Sequence, residues 1–162
     1  MIRLVAGGLI AIACVLIGMA IRRHFNLRRD AYATICDFAA FLTGEISYLK
    51  TTVPVAIGEF VKGRKGRVSL ALSQYAEALR LGMAESFVPD VSGFKDGEKK
   101  EFAKFLKSIG KKPLGETLSE IKRYSLVFEE LKTKSENDAK KLGSMYFKLL
   151  VLVGLAVMLI LA

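Results

Sequence analysis

Residues 4–21 read LVAGGLIAIACVLIGMAI, a run of eighteen positions without a charged side chain. As an α-helix this run is about 27 Å long, close to the thickness of the hydrocarbon core of a bilayer. A cluster of arginines follows it directly: Arg22, Arg23, Arg28 and Arg29. Because such a cluster resists translocation, residues 1–21 are predicted to form an uncleaved transmembrane helix.

The competing interpretation of the same run is a secretory signal peptide. Its length is suitable, and Gly18, Met19 and Ala20 resemble a small-residue cleavage site. On that interpretation the mature chain is an exported, basic helical protein. The arginines that follow favour the membrane anchor.

A second apolar run, residues 149–162, lies at the other end of the sequence. Fourteen residues are too few to cross a bilayer. Residues 142–147 extend the run to 21 residues and about 31 Å, provided that the Lys148 side chain reaches the interface. Since the run has no polar face, a transmembrane helix over residues 142–162 is favoured over a buried core helix.

The charged residues of this 162-residue chain are concentrated between the two runs. Residues 22–148 hold 24 of the 25 basic side chains and all 16 acidic ones, which leaves this segment at +8. With 52% apolar residues the chain is not intrinsically disordered, and two cysteines do not make a disulfide-stapled module. Because basic residues flank both runs, the segment is predicted to be cytoplasmic and both termini external.

Apolar residues at helical spacing fill the middle of the chain. Helices are predicted over residues 27–50, after Thr52, over 68–81, over 98–109 with Gly110 as C-cap, and from Thr117, where a Thr-x-x-Glu capping box begins. Residues 88–97 are predicted to be a mobile loop, and the polar stretches 22–30 and 132–141 to be necks. Strand-like alternation is absent from the sequence, so residues 22–141 are predicted to form an antiparallel helical bundle in an all-α protein.

Few residues suit catalysis or metal binding. His24 is the single histidine and lies at the predicted membrane edge. The sequence has no Cys/His cluster with metal-ligand spacing and no phosphate-binding GxxxxGK[ST] loop. Ser69 and Ser73 have no base in a readable motif. A non-enzymatic protein without a cofactor is therefore predicted.

Two groups of residues are candidate interaction sites. In the first predicted span, small residues recur at helical spacing, where they let another helix approach closely: Gly7, Ala11, Cys14 and Gly18. The partner would be the second span or another membrane subunit, although ordinary membrane-helix composition explains the pattern equally well. The second group is the glycine-rich basic turn that contains Arg64, Lys65 and Arg67. It is either a solvated turn or a docking site for an acidic patch on a partner protein.

The basic residues do not indicate nucleic-acid binding. Aromatic residues are not interleaved with them, and the arginines after the first span are better explained by attraction to anionic lipids. A membrane regulatory protein that binds anionic lipid is accordingly the alternative function. Salt-dependent binding of the soluble segment to anionic liposomes would favour this alternative.

Several motifs in order resemble the stage III sporulation protein AB family of endospore-forming bacteria. Ile17-Gly18 ends the first span, and an arginine-rich segment follows. Then come Glu45-Ile46-Ser47-Tyr48, the Pro54 turn within residues 51–56, and Leu114-Gly115-Glu116-Thr117 before a long helix into the last span. The resemblance covers essentially the whole chain.

The resemblance implies a function that the composition does not. It implies a cytoplasmic helical domain similar to that of the type II secretion inner-membrane platform protein. It also implies membership of the channel complex between mother cell and forespore, with other membrane subunits and a cytoplasmic ATPase, stage III sporulation protein AA, as partners. The expected ATPase contact is the bundle surface that carries Glu45, Tyr48 and Pro54.

Overall fold

The protein is almost entirely helical. The computed structural model describes the backbone of residues 2–111 and 114–161, and the side chains of residues 7–109 and 115–160. Its elements are α1 (Ile2–Gly44) with a π-helical turn (Glu45–Leu49), α2 (Val53–Val61), α3 (Arg67–Arg80), α4 (Asp96–Lys111), α5 (Leu114–Asp138) with a π-helical turn (Ala139–Gly143), and α6 (Ser144–Leu161). Within the described ranges there is no strand, which confirms the predicted all-α fold.

The chain forms two compact units. The terminal unit consists of residues 1–29 and 133–162, and the central unit consists of residues 30–132. The predicted start of a separate helix at Leu27 is wrong, because α1 continues without a break from the first apolar run to Gly44. The helix formed by the apolar run continues through the polar residues that follow, which do not interrupt its backbone hydrogen bonding.

Two predicted helix ends are also wrong. The capping box at Thr117 does not start a helix, because α5 begins at Leu114 and Thr117 is only 1% exposed within it. An N-cap residue has a non-helical backbone, whereas Thr117 lies within α5. Gly110 does not end α4, which continues to Lys111.

The central unit is built around aromatic side chains. In α1 the apolar period identified from sequence faces inward, with Ile35, Phe38 and Leu42 all 0% exposed. Aromatic contacts then link the helices: Phe38 with Phe60, Phe38 with Phe105, Phe102 with Phe128, Phe105 with Tyr124, and Phe105 with Phe128. Each edge-to-face or tilted pair adds about 1 kcal/mol to the burial of its rings. The predicted period fails at its ends, because Leu27 and Leu49 are exposed.

The segment between α3 and α4 is an irregular connection that packs on this core. Val91 is fully buried, and the Phe94 ring stacks on Tyr32 at a centroid distance of 4.7 Å. The Lys99 ammonium donates a hydrogen bond of 3.0 Å to Asp90 Oδ1 and lowers the pKa of that carboxyl. The loop predicted over residues 88–97 therefore exists in part, ending where α4 begins at Asp96, and its apolar residues belong to the core.

In the terminal unit, α1 and α6 pack antiparallel through glycines. A Cβ atom on Gly154 would lie 3.3 Å from Ala11 Cα and 3.2 Å from Cys14 Cβ, and one on Gly18 would lie 3.0 Å from the Phe147 ring. A side chain at either position would require its neighbours to move by a few tenths of an ångström, so glycine suits this close approach of two helices.

The polar segments next to these apolar helices also meet. Gly143 faces Phe25, and the Arg28 guanidinium lies 3.7 Å from Asp138. The two stretches predicted as necks therefore lie side by side.

Both terminal helices are long and apolar enough to cross a membrane. Their most apolar windows have mean hydropathies of 1.6 and 2.1, and only 6% and 11% of those windows are buried within the protein. A core helix of a soluble protein would be mostly covered. This exposed apolar surface is compatible with burial in a bilayer.

Tyr75 allows the core to be tested by pH. Its hydroxyl donates a 2.5 Å hydrogen bond to the Leu106 carbonyl, and burial raises the pKa of the phenol to about 12. Because the fold favours the neutral phenol, this stabilisation is complete below pH 10 and is lost as the pH rises from 10 to about 12. The difference between the two states corresponds to about 2 to 3 kcal/mol.

We expect Tyr75→Phe to lower the free energy of unfolding by about 1 kcal/mol at pH 7 and to reduce its loss at alkaline pH. Thermal unfolding of the detergent-solubilised chain, followed by circular dichroism between pH 7 and 11.5, measures both effects. Tyr48→Phe is the matched control, since Tyr48 is 87% exposed. An equal alkaline loss in Tyr75→Phe and the wild type would contradict the assignment.

The contact between α1 and α6 can be tested by cross-linking. With Cys36 replaced by alanine, Gly154→Cys places a second thiol beside Cys14, at a Cβ separation that needs only a small shift to suit a disulfide. We expect oxidation to give an intramolecular cross-link, seen as faster migration in a non-reducing gel. Leu152→Cys, on the exposed side of α6, is the control and should not cross-link. Equal reactivity of the two variants would exclude this packing.

Candidate functional site

The turn between α1 and α2 exposes an apolar surface. Tyr48 is 87% exposed and Leu49 is 67% exposed at the end of the π-helical turn, and Val55 is 51% exposed in the first half of α2. We call these three residues the tyrosine patch. Large exposed apolar side chains around one turn of a helical bundle make that turn a candidate protein-binding site.

The backbone holds this turn in an uncommon conformation. The π-helical turn ends at Lys50, which has φ 51° and ψ 31°, the left-handed region that non-glycine residues rarely adopt. The amide groups of Lys50 and Thr51 both donate to the Glu45 carbonyl. Thr52 is the N-cap residue of α2, as predicted, although its carbonyl rather than its side chain accepts the bonds, and Pro54 lies in the first turn. Glu45 and Tyr48 therefore lie in the π-helical turn, and Pro54 lies in the first turn of the helix that follows it.

The second candidate group lies in the turn between α2 and α3. Arg64 is held by two contacts, with its guanidinium 4.3 Å from the centre of the Phe60 ring and 4.0 Å from Asp37. Lys65 and Arg67 are exposed. Arg64 and Lys65 line a surface groove, whereas Arg67 does not. Arg67 instead contributes, after Lys99, to the lowered pKa of Asp90.

The two groups do not form one contiguous surface. Pro54 lies at the start of α2 and Val61 at its end, about 10 Å apart along the helix axis. The tyrosine patch and the basic turn therefore lie at opposite ends of the same short helix, and a partner would need an extended surface to contact both.

The small residues of the first span lie on the side of α1 that packs against α6. Ala11, Cys14 and Gly18 contact α6 as described above, and Gly7 is buried. An open apolar groove of about 260 Å³ runs alongside, lined in part by Ile12, Leu16 and Leu155. The second span therefore covers part of this face.

The described residues do not assemble a metal centre. Among them there is no group of three or more His, Cys, Asp or Glu side chains that could hold a metal ion. His24 is exposed and its ring is edge-on to Phe25 at 6.2 Å. Cys14 and Cys36 are not joined in a disulfide.

Sequence reasoning missed part of both surfaces. The exposed Leu49 had been assigned to the core-facing side of its helix. Ser69 had been considered only as a nucleophile, yet it lines the basic groove while only 5% exposed. Its place in the first turn of a helix that follows a basic Gly-x-x-Gly segment is a signal that could have identified it.

Comparison with known proteins identifies the family. No curated protein and no solved structure gives a significant match to the chain. The family model described as stage III sporulation protein AB matches residues 3–162, which includes both apolar helices and the whole central unit. The match agrees with the resemblance carried by the turn that contains Glu45 and Tyr48 and by the two terminal apolar runs. The chain belongs to the stage III sporulation protein AB family.

Proposed function

We propose that this protein is a non-enzymatic membrane platform of the sporulation channel complex that binds a cytoplasmic ATPase similar to stage III sporulation protein AA. The family establishes a protein of a sporulation stage. The platform role rests on the further resemblance to the type II secretion inner-membrane platform and on the distribution of exposed apolar surface in this chain.

The tyrosine patch is the observation that carries this proposal. The central unit buries its aromatic rings in the core, but Tyr48 is almost fully exposed beside Leu49. Exposed large apolar side chains lose the free energy that burial would supply unless another protein covers them. Aromatic anchors of this kind dominate the affinity of protein interfaces. The ATPase is the partner that we assign to the patch.

The terminal unit would hold the platform in the membrane. The pair of α1 and α6 exposes apolar side chains to lipid, and other membrane subunits of the channel would pack on the groove beside Leu16 and Leu155. Anionic lipids would bind the arginines that follow the first span.

We expect Tyr48→Ala to reduce retention of the ATPase by the detergent-solubilised full chain by about tenfold or more, because truncating an aromatic anchor costs about 2 kcal/mol. Leu126→Ala is the matched control. Leu126 is 70% exposed on α5, so this substitution removes an exposed apolar side chain outside the tyrosine patch. Co-purification with the ATPase measures both variants. A wild-type chain that retains no ATPase would exclude the proposal, and equal loss in both variants would exclude this patch.

The orientation of the chain can be tested independently. We expect a reporter inserted within residues 93–97 to lie in the cytoplasm and one fused after Ala162 to lie outside, because the basic residues near both spans stay on the inner side. A phosphatase active only outside and a fluorescent protein active inside give opposite readings at the two positions. Both reporters on the same side would contradict two crossings, as would a mature chain that starts after Ala20.

A further inference from the structure

A surface groove of about 360 Å³ lies at the start of α3. It is lined by basic, hydroxyl and apolar side chains together with one glycine: Val61, Arg64, Lys65, Gly66, Ser69, Leu70 and Ser73. Neither the family nor the tyrosine patch accounts for this groove. Its composition is unlike that of a solvated turn, because positive charge, hydroxyl groups and apolar side chains border one depression.

The backbone of the groove presents free amide groups. Gly66 is the N-cap residue of the 14-residue helix α3, with φ 142°, a conformation that side chains rarely permit. The Leu70 amide is the first in this helix to donate to a carbonyl of the same helix, that of Gly66. No side chain caps the amides that precede it. Amide groups at such a helix start carry partial positive charge and attract anions.

Ser69 adds an independent observation. It is 5% exposed, and it lines the groove. Within the part of the chain that the structure describes, its hydroxyl has no hydrogen bond. Because Ser69 lines the open groove, its hydroxyl can be solvated there and is available as a donor to a ligand. An acceptor that enters the groove would accept this hydrogen bond in place of water.

The charges around the groove indicate what kind of anion fits. Arg64 and Lys65 supply two positive charges, but Asp37 lies 4.0 Å from the Arg64 guanidinium and offsets part of them. A carboxylate with a single charge suits this balance better than a phosphate with two. The apolar Val61 and Leu70 side chains at the border suit a neighbouring aliphatic residue, which a free inorganic anion does not possess.

We propose that this groove binds an acidic segment of a partner protein, with one carboxylate at the start of α3 and Ser69, and an adjacent aliphatic side chain against Val61 and Leu70. The inference rests on the proposed function, because the ATPase is the partner that would carry the segment. Lys65 contributes long-range attraction, whereas the α3 amides and the Ser69 hydroxyl donate the hydrogen bonds that select a carboxylate.

The first experiment uses the full chain in nanodiscs of phosphatidylcholine, which has no net charge. A rhodamine-labelled peptide of alternating Glu and Leu is titrated and its fluorescence anisotropy is measured, with the corresponding Gln and Leu peptide as control. We expect binding of the Glu peptide only. Ser69→Ala and Lys65→Ala should each weaken it by about fivefold or more, since the first removes a hydrogen bond to the carboxylate and the second removes a positive charge that lines the groove.

Arg67→Ala is the matched control, because it removes one positive charge two residues from Lys65 but outside the groove. It should change the affinity less than twofold. An equal loss in Arg67→Ala and Lys65→Ala would show attraction to net charge and overturn the inference. Displacement of the peptide by inorganic phosphate at equal concentration would also overturn it, because the groove would then be a small-anion site. Unchanged circular dichroism and melting temperature exclude unfolding of Ser69→Ala.

A second experiment separates this inference from the proposed function. ATPase retention is measured with the wild type, Ser69→Ala and Arg67→Ala. If the wild type and Ser69→Ala retain the ATPase equally, the acidic-segment inference is overturned and the platform stands. If the wild type retains no ATPase but still selects the Glu peptide, the groove assignment is supported and the platform proposal fails. Loss of the ATPase in Ser69→Ala alone supports both.

Discussion

The close approach of α6 to α1 at Gly154 is the constraint on which the organisation of the terminal unit depends. In the proposed bilayer, two apolar helices would gain nothing from the hydrophobic effect by associating, so their pairing would rely on packing and on small residues. The glycines allow the backbones to meet, and the contacts continue antiparallel to the ion pair of Arg28 and Asp138. The points where the chain leaves and re-enters the terminal unit are therefore neighbours. The segment between them can fold as one domain whose ends lie close together, as is common for domains inserted within a chain.

The core of the central unit was largely predictable because helical period and burial have the same physical cause. Ile35, Phe38 and Leu42 recur at three and four residues and are buried. Helix boundaries were less predictable. A local capping signal such as Thr117-x-x-Glu120 stabilises a helix start by about 1 kcal/mol, whereas the helix that extends back to Leu114 places Thr117 on the core-facing side. Tertiary burial therefore outweighs the local signal.

The candidate surfaces were predictable to different degrees. The turn that carries Glu45 and Tyr48 was recognised from the resemblance, and its identity as an exposed patch follows from the structure. Ser69 and Ser73 lie four residues apart on α3, and the first is 5% exposed while the second is exposed. Sequence alone does not distinguish them, because the rotation of a helix relative to the core depends on contacts from distant segments. Arg67 similarly belongs to the basic turn in sequence but not to the groove.

The two surfaces at the ends of α2 would act differently on the same partner. Apolar anchors such as Tyr48 supply affinity through burial and lengthen the lifetime of a complex, while charges such as Lys65 increase the rate of encounter and fix the register. Attraction between exposed charges falls with ionic strength, but burial of an aromatic ring does not. Raising the salt concentration should therefore slow association more than it speeds dissociation. An interface made by the basic turn alone would instead lose most of its affinity. The helix α2 separates the two surfaces by about 10 Å, so a partner that contacts both would recognise their spacing as well as their chemistry.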